Sequence, residues 1–290
     1  MQPKHWTAFI ALGAIWSSSF LWIKVALEEV GPITMVAYRS VFGLIFAGGA
    51  VFIQRKQWPR DFSGWLPFII LGITSVAIPF FLIAWGEQYI DSAIASILNA
   101  LVPLFTIVTA HIFLQDDKMT LQRILGLLIG FAGVIVLLSK DIRAGQENSL
   151  LGQGAVILAT AFYAASSVYA RKNTRHAPGL VRGAGPLVSA SVVMWLAAPI
   201  AESPVSIPAL PVTWVALIWL GVLGSGLALI LLYYLLHEIG PTRTSMVTYL
   251  FPLGGVILGV IFLQEELSWQ LVVGALLIIF SIIVVNWKTK

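Results

Sequence analysis

The chain has no cysteine and few charged residues over its 290 positions. Without cysteine there can be no disulfides, thiolate zinc sites or cysteine nucleophiles. Charged residues make up only 10% of the chain, against about a quarter in an ordinary soluble domain. Hydrophobic residues make up 59%. This composition predicts an integral membrane protein, whose first partner is the lipid bilayer.

Signatures of catalytic and nucleotide-binding sites are also missing. The chain has no H-E-x-x-H metal motif and no P-loop, so we expect no metal, no cofactor and no direct use of ATP. The nearest approach to a serine protease is Ser225 between two glycines, followed by His237. These residues are about three helical turns apart, roughly 18 Å, which is too far for a hydrogen bond. We therefore expect no enzyme activity.

Ten apolar segments are each long enough to cross the roughly 30 Å of bilayer hydrocarbon. The predicted fold class is all-α integral membrane, with ten transmembrane helices joined by short loops. The first apolar run is longer than a signal-peptide core, so it is interpreted as a spanning helix. The predicted helices cover approximately 6–27, 33–53, 64–86, 92–114, 121–139, 151–170, 179–201, 213–236, 242–263 and 269–287.

Lysine and arginine lie unequally on the two sides of these segments. With the N-terminus in the cytoplasm, thirteen of them fall inside and only Lys24, Lys140 and Arg143 fall outside. Positive charge accumulates on the cytoplasmic side of membrane proteins. The pattern predicts a multi-pass protein of the cytoplasmic membrane with both termini inside. The net charge of +4 is explained by topology, and we expect no nucleic-acid partner.

The chain repeats itself. Residues 93–117 recur at 242–266, so that Ser96 falls on Ser245 and Pro103 falls on Pro252. An acid pair ends each copy: Asp116 and Asp117 in the first, Glu265 and Glu266 in the second.

The repeat also includes the first helix, where Trp16 falls on Tyr163, Ser19 on Ser166, and Lys24 on Arg171. The repeated unit therefore has five helices, which divides the chain into residues 1–140 and 151–290. Because five is odd, the second copy enters the membrane inverted. Inverted repeats are typical of secondary transporters that work by alternating access, although a duplication can also give only a stable bundle.

The ordered motifs resemble those of the drug/metabolite transporter superfamily, with two EamA-type domains covering nearly the whole chain. The resemblance implies a transporter that exports small metabolites or amino acids, without naming the substrate. Asp117 departs conservatively from the family's usual glutamate. The residues that carry the resemblance are Gly13, Trp16, Ser19, Phe20, Lys24, Arg39, Pro103, Phe113 to Asp117, Gly126, Gly130, Gly133, Tyr163, Pro252, Gln264 to Glu266 and Gly274.

Polar residues in the fourth and ninth helices recur every three or four positions, so they share one face of each helix. Such a face points into the bundle, where it either lines a cavity or bridges helices. Aromatic residues with polar ends occur at similar depth, although Trp85 could equally belong to the interfacial belt. The candidate substrate-binding residues are Trp16, Ser19, Arg39, Trp85, Ser96, Asn99, Pro103, Tyr163, Tyr234, Ser245, Thr248, Tyr249 and Pro252.

Ionisable residues within the spans are few. Arg39 could pair with a substrate carboxylate, with Glu28 or Glu29, or with helix-end carbonyls. Glu87 and the other acids lie at helix ends, so no buried acid is predicted. Small cation/proton antiporters of the same superfamily depend on such an acid, which disfavours that mechanism here.

The predicted function is secondary-active or facilitated transport of a small-molecule substrate by a monomer or homodimer. The alternatives are a channel-like facilitator, a lipid scramblase and, least favoured, a membrane-embedded enzyme. Neither the substrate nor the coupling ion follows from the residues.

Overall fold

The computed structural model describes residues 2–114, 120–144 and 147–286, which are helical apart from short connections. The predicted acid pair at Asp116 and Asp117 lies outside these ranges. Ten helices are present in the described ranges, which confirms the predicted fold class. They are α1 (Pro3–Leu27), α2 (Pro32–Ile53), α3 (Phe62–Glu87), α4 (Ser92–Phe113), α5 (Leu121–Ala144), α6 (Glu147–Asn173), α7 (Gly179–Ala201), α8 (Pro211–Glu238), α9 (Pro241–Leu263) and α10 (Trp269–Asn286).

Eight of these helices are long and apolar enough to span a membrane. The other two, α5 and α10, contain shorter apolar segments, Ile124–Ser139 and Trp269–Ser281. The outer surface of the bundle carries large apolar side chains, such as Phe52 and Ile200, that are more than four-fifths exposed. Such a surface matches hydrocarbon rather than water.

Regular α-helix is interrupted at corresponding places in the two halves. Helix α3 contains a π-helical segment at Gly72–Ala77, and α8 contains one at Trp219–Leu227. Helix α4 breaks at Ala100 and Leu101, where α9 has the 3-10 segment Met246–Leu250. The repeat therefore extends to the irregularities of the backbone.

The two central prolines follow these breaks directly. Pro103 occupies the first turn of Val102–Phe113, and Pro252 occupies the first turn of Phe251–Leu263. The first turn of a helix has amide groups without intrahelical acceptors, so a proline there removes no hydrogen bond. The prolines thus mark where each helix restarts.

Helices of the two halves pack as an inverted repeat requires. Helix α1 packs against α9 as α6 packs against α4. Helix α2 packs against the π-helical segment of α8, as α7 packs against that of α3. Helices α2 and α7, α4 and α9, and α5 and α10 form self-matching pairs. This pattern places an approximate two-fold axis through the centre of the bundle.

Glycines allow the closest of these contacts. A Cβ atom on Gly133 of α5 would lie 2.9 Å from the carbonyl oxygen of Gly274 on α10, and the reciprocal distance is 3.0 Å. Small residues let membrane helices approach backbone to backbone. Gly133 and Gly274 thus join the two halves of the chain.

Candidate functional site

A cavity with about 790 Å³ of empty space, including its opening, lies near the two-fold axis. Much of its lining consists of residues that correspond in the repeat. Both members line it in the pairs Trp16 and Tyr163, Ser19 and Ser166, Ile83 and Leu232, Asn99 and Thr248, and Val102 and Phe251.

Seven of the thirteen candidate residues lie around this cavity. The lining contains both aromatic rings, such as that of Tyr163, and hydroxyl or amide groups, such as those of Ser19 and Asn99. The seven are Trp16, Ser19, Arg39, Asn99, Tyr163, Ser245 and Thr248.

The other six candidates lie outside the cavity lining, most of them in contacts between helices. Ser96 is fully buried against α9, where a Cβ on Gly255 would lie 2.3 Å from its side chain. Pro103 and Pro252 are buried where their helices restart.

The three aromatic candidates of this group have other neighbours. Trp85 packs against Tyr89 with its ring 5.0 Å away, near the end of α3. Tyr234 faces the ring of His5 on α1. Tyr249 is half-buried against the main core.

Sequence reasoning missed several lining residues. Tyr233, next to the candidate Tyr234, lines the cavity, as do Phe80 and Thr244. Ser166 could have been predicted from the sequence, because the repeat aligns it with the candidate Ser19.

Arg39 is the only charged residue among the described residues that line the cavity. Its Nε donates to Ser225 Oγ at 2.8 Å, and its Nη2 donates to the carbonyl oxygen of Gly224 at 3.1 Å. The guanidinium also lies 3.7 Å above the ring of Phe80, a cation–π contact. The sequence predicted a helix-end carbonyl as one possible partner, but Gly224 lies within the π-helical segment of α8. Glu28 and Glu29 do not contact the guanidinium.

The π-helical segment of α8 brings this arginine into place. A Cβ on Gly221 would lie 3.0 Å from the carbonyl oxygen of Arg39, so only glycine lets α2 approach so closely. The carbonyl of Gly224 accepts a second hydrogen bond from Trp16 Nε1 at 2.9 Å. Ser225 donates to Leu220 as well as accepting from Arg39, whereas His237 contacts Tyr233 and Thr174. Ser225 and His237 therefore do not form a catalytic pair.

One end of the bundle is held by carboxylates that bind helix N-termini. Glu202 accepts from the amides of Ile33 and Thr34 at the start of α2, both at 2.8 Å. Glu265 accepts from those of Ser92 and Ala93 at the start of α4, at 2.7 and 3.0 Å. Each bond joins one half of the chain to the other.

Glu29 does the same for α8, accepting from the amides of Ala209 and Leu210 and from Thr213 Oγ1. The hydrogen bond from Thr213 lowers the pKa of Glu29. Burial opposes the shift, and the two amides add to it. We call this end of the bundle, which contains Glu29, Glu202 and Glu265, the glutamate end. The opposite end, where Arg171, Arg175 and Arg243 lie, is the arginine end.

The cavity does not extend equally toward these two ends. At the arginine end, Pro241, Thr244 and Ser245 at the start of α9 line it. The corresponding start of α4, with Ser92 and Ser96, is packed against the last turns of α9. The cavity therefore extends from the middle of the bundle toward the arginine end, and the glutamate end is closed.

The expectation that the chain lacks a buried acid is wrong. Glu87 ends α3, yet its relative exposure is 0% because α1, α2, α4 and α6 surround it. Neither carboxyl oxygen accepts a hydrogen bond from a described residue. Lys24 donates to the backbone carbonyl of Glu87 at 2.5 Å rather than to its side chain. The position of a residue at a helix end does not reveal how many other helices cover it.

Comparison with known proteins identifies the family to which the chain belongs. The model of the EamA-like transporter family matches residues 5–139 and again 150–287. The chain is 23% identical over 278 residues to the uncharacterized transporter YoaV of Bacillus subtilis, covering 95% of this chain and 94% of that one. It is 27% identical over 281 residues to the uncharacterized inner membrane transporter YedA of Escherichia coli K12, covering 96% and 89%.

A WAT1-related chloroplastic protein of Arabidopsis thaliana is 25% identical over 291 residues, covering 98% of this chain and 69% of that protein. A crystal structure of another protein superposes with a TM-score of 0.75, covering 99% of this chain and 98% of that one at 19% identity, and so shares the fold. Because the family model matches both halves, the chain is a multi-pass membrane transporter that belongs to the EamA-like transporter family.

Proposed function

We propose that the protein exports small metabolites that carry a carboxylate, amino acids among them, across the cytoplasmic membrane by alternating access. The observation that carries this proposal is the cavity itself. It is lined by corresponding residues of two inverted repeats, yet it extends toward one end only. Residues 1–140 and 151–290 act as the two moving units, a division that the two matches of the family model support.

Alternation follows from the difference between the two halves. The start of α9 lines the cavity, whereas the start of α4 is packed against the end of α9. If the halves exchange these roles, Ser96 and its neighbours line the cavity and Ser245 is packed away. Because the halves share one architecture, the exchanged state has similar energy. This state then extends the cavity toward the glutamate end.

The chemistry of the cavity supports the substrate class. Arg39 uses Nε and Nη2 within the protein, while its Nη1 donates to no described residue. A substrate carboxylate can supply the missing acceptor and neutralise the buried charge. Trp16, Tyr163 and Phe251 provide apolar surface for the rest of the molecule, and Asn99 and Thr248 provide polar contacts.

The direction of transport rests on charge. The arginine end carries most of the lysine and arginine residues, so we assign it to the cytoplasm together with both termini. The cavity in this structure then faces the cytoplasm, ready to take up substrate for export.

The test is transport in proteoliposomes with a panel of amino acids, other carboxylates, purines, sugars and aromatic cations, each with and without a proton gradient. We expect carboxylates to be transported. Uphill movement driven by a gradient would eliminate a channel, whereas purely downhill flux without saturation would support one. Scrambling of labelled lipid without solute transport would refute the proposal.

Two variants locate the site once a substrate is found. Tyr163→Ala and Asn99→Ala should each reduce transport, because both side chains line the cavity. Tyr234→Ala is the matched control, since this tyrosine faces His5 outside the cavity lining. Equal activity of all three variants would show that substrate does not bind in this cavity.

A further inference from the structure

Glu87 does not line the cavity, and its carboxyl group accepts no hydrogen bond from a described residue. It is fully buried, and neither of its oxygens has a donor among the described residues. Transferring a carboxylate from water to such a site without compensating hydrogen bonds is strongly unfavourable. A neutral carboxyl group pays far less of this cost. The geometry is that of an acid that holds a proton.

The location of Glu87 relates this proton to the closed end of the bundle. Ile83, one helical turn earlier on α3, lines the cavity, as does Ile23 next to Lys24. Glu87 therefore lies just beyond the cavity, between it and the glutamate end. The adjacent Gly86 fixes this arrangement, because its Cβ would lie 2.8 Å from the carbonyl oxygen of Gly152 on α6. Helices α3 and α6 are therefore in backbone contact beside Glu87.

The charged groups around Glu87 come from several helices. They include Lys24 of α1, Arg39 of α2 and Glu265, which follows α9. Helix α6 contributes exposed Glu147 at this end and Tyr163 deeper in the bundle, and Asp91 precedes α4. Lys24 donates one hydrogen bond to the backbone carbonyl of Glu87. It makes no ion pair within 4.0 Å with the Glu87 carboxylate.

We propose that Glu87 is a proton-binding site of the glutamate end, which closes only when this carboxyl group is protonated. On closure, the carboxylate leaves water and takes one proton from the aqueous phase on that side. When the end opens, water enters, the proton returns to it, and Lys24 can pair with the carboxylate. The proposal rests on the alternation of access proposed above, but it requires no knowledge of the substrate.

The first test detects the proton directly. Infrared difference spectroscopy of the whole protein in nanodiscs between neutral and alkaline pH should give the carbonyl band of a protonated carboxyl group. This band should be missing in Glu87→Gln and retained in Glu28→Gln, the matched control with an exposed carboxylate at the same end. If the band is missing in the parent protein, or survives in Glu87→Gln, the proton site is refuted whatever the protein transports.

The second test links the proton to opening. Because the chain has no cysteine, Ser92→Cys gives a single reporter at the buried start of α4. The measured quantity is the rate at which a polar maleimide modifies Ser92→Cys, divided by the rate for Ser206→Cys. Ser206 is an exposed residue of the loop after α7, so its rate serves as the reference. We expect this ratio to rise with pH by at most about tenfold per pH unit, as for one proton. Glu87→Gln should hold the ratio low at every pH, and Glu28→Gln should leave it unchanged.

A third variant leaves the carboxyl group intact and keeps the test decisive if Glu87→Gln does not fold. Lys24→Met removes the cation that favours the carboxylate, so the rise should move to higher pH. An unchanged midpoint, or a ratio independent of pH in the parent protein, overturns the link between the proton and closure. Failure of Ser92→Cys to react at any pH, with the infrared band present, refutes the proposed alternation and not the proton.

Discussion

Ser96 of α4 packs directly against Gly255 of α9, whereas Ser245, the counterpart of Ser96 in the repeat, lines the cavity. Equivalent residues thus have opposite environments in one structure. This difference identifies the segments that must move if access alternates.

Cysteine accessibility at these two serines should therefore change in opposite directions. In the conformation described here, Ser245→Cys should react with a polar maleimide and Ser96→Cys should be protected. Conditions that open the glutamate end should reverse the order. Quantitative labelling in nanodiscs measures both rates, and the lack of native cysteine removes any background. Rates that rise and fall together would indicate a common channel rather than alternation.

Substituting Gly255 should disturb the closed end selectively. In Gly255→Ala, the new Cβ would lie 2.3 Å from the side chain of Ser96, so α4 and α9 must separate. Overpacking of this kind costs about 1 to 3 kcal/mol and falls on the closed state only. Labelling of Ser92→Cys should accordingly increase.

Gly154→Ala is the control for that experiment. A Cβ at Gly154 of α6 meets no atom within 4 Å, and alanine favours helix over glycine. This variant should leave labelling close to that of the parent and should not lower the thermal stability. If both glycine variants behave alike, the effect is one of helix propensity and not of closure.

Arg39→Gln should weaken transport of a carboxylate substrate. The variant loses a charge-assisted hydrogen bond, about 1.5 to 3 kcal/mol, which corresponds to roughly a ten- to hundredfold higher KM. The uncharged amide of the same substrate provides the comparison, and its transport should change much less. Equal losses for the acid and the amide, with lower protein yield, would assign Arg39 to the structure of the α2–α8 contact alone.

Acid should loosen the start of α8 through Glu29. The pKa of Glu29 is lowered in the folded protein by its hydrogen bonds to Thr213 and the amides of α8. Its contribution to stability is therefore complete above the ordinary carboxyl pKa, about 4.3, and is lost as the pH falls through the lower folded value. Thermal unfolding of purified protein across this range should show a decrease in Tm that is smaller in Glu29→Gln. Neighbouring Glu28→Gln should behave as the parent does.

The repeat allowed the sequence to predict the architecture and several of the residues that line the cavity. Helix lengths and the odd number of helices per unit determine the inverted arrangement, and matched positions such as Asn99 and Thr248 both reached the cavity. These inferences depend only on periodicity and alignment, which are properties of the chain itself.

Contacts between helices set the limit of that prediction. Ser96 has the same polar spacing as Ser245, but Ser96 packs against α9 whereas Ser245 lines the cavity, and the spacing does not distinguish the two environments. In the sequence Glu87 resembles a residue at the membrane edge, because it ends a helix. Only the fold shows that neighbouring helices bury it completely. Trp85 had two equally good interpretations, and its neighbour Tyr89 is visible only in the fold.

The wide turns in α3 and α8 have a consequence for how these helices present their side chains. An α-helix advances by 360° in 3.6 residues, about 100° for each residue, so one extra residue in a π-helical turn rotates everything beyond it by that angle. A helical wheel drawn from Pro211 with 100° for each residue therefore no longer gives the correct side-chain directions after Leu227. Tyr233, which lines the cavity, and Tyr234, which faces His5, both follow this segment. Their orientation about the axis of α8 therefore cannot be read from a regular helical wheel that begins at Pro211.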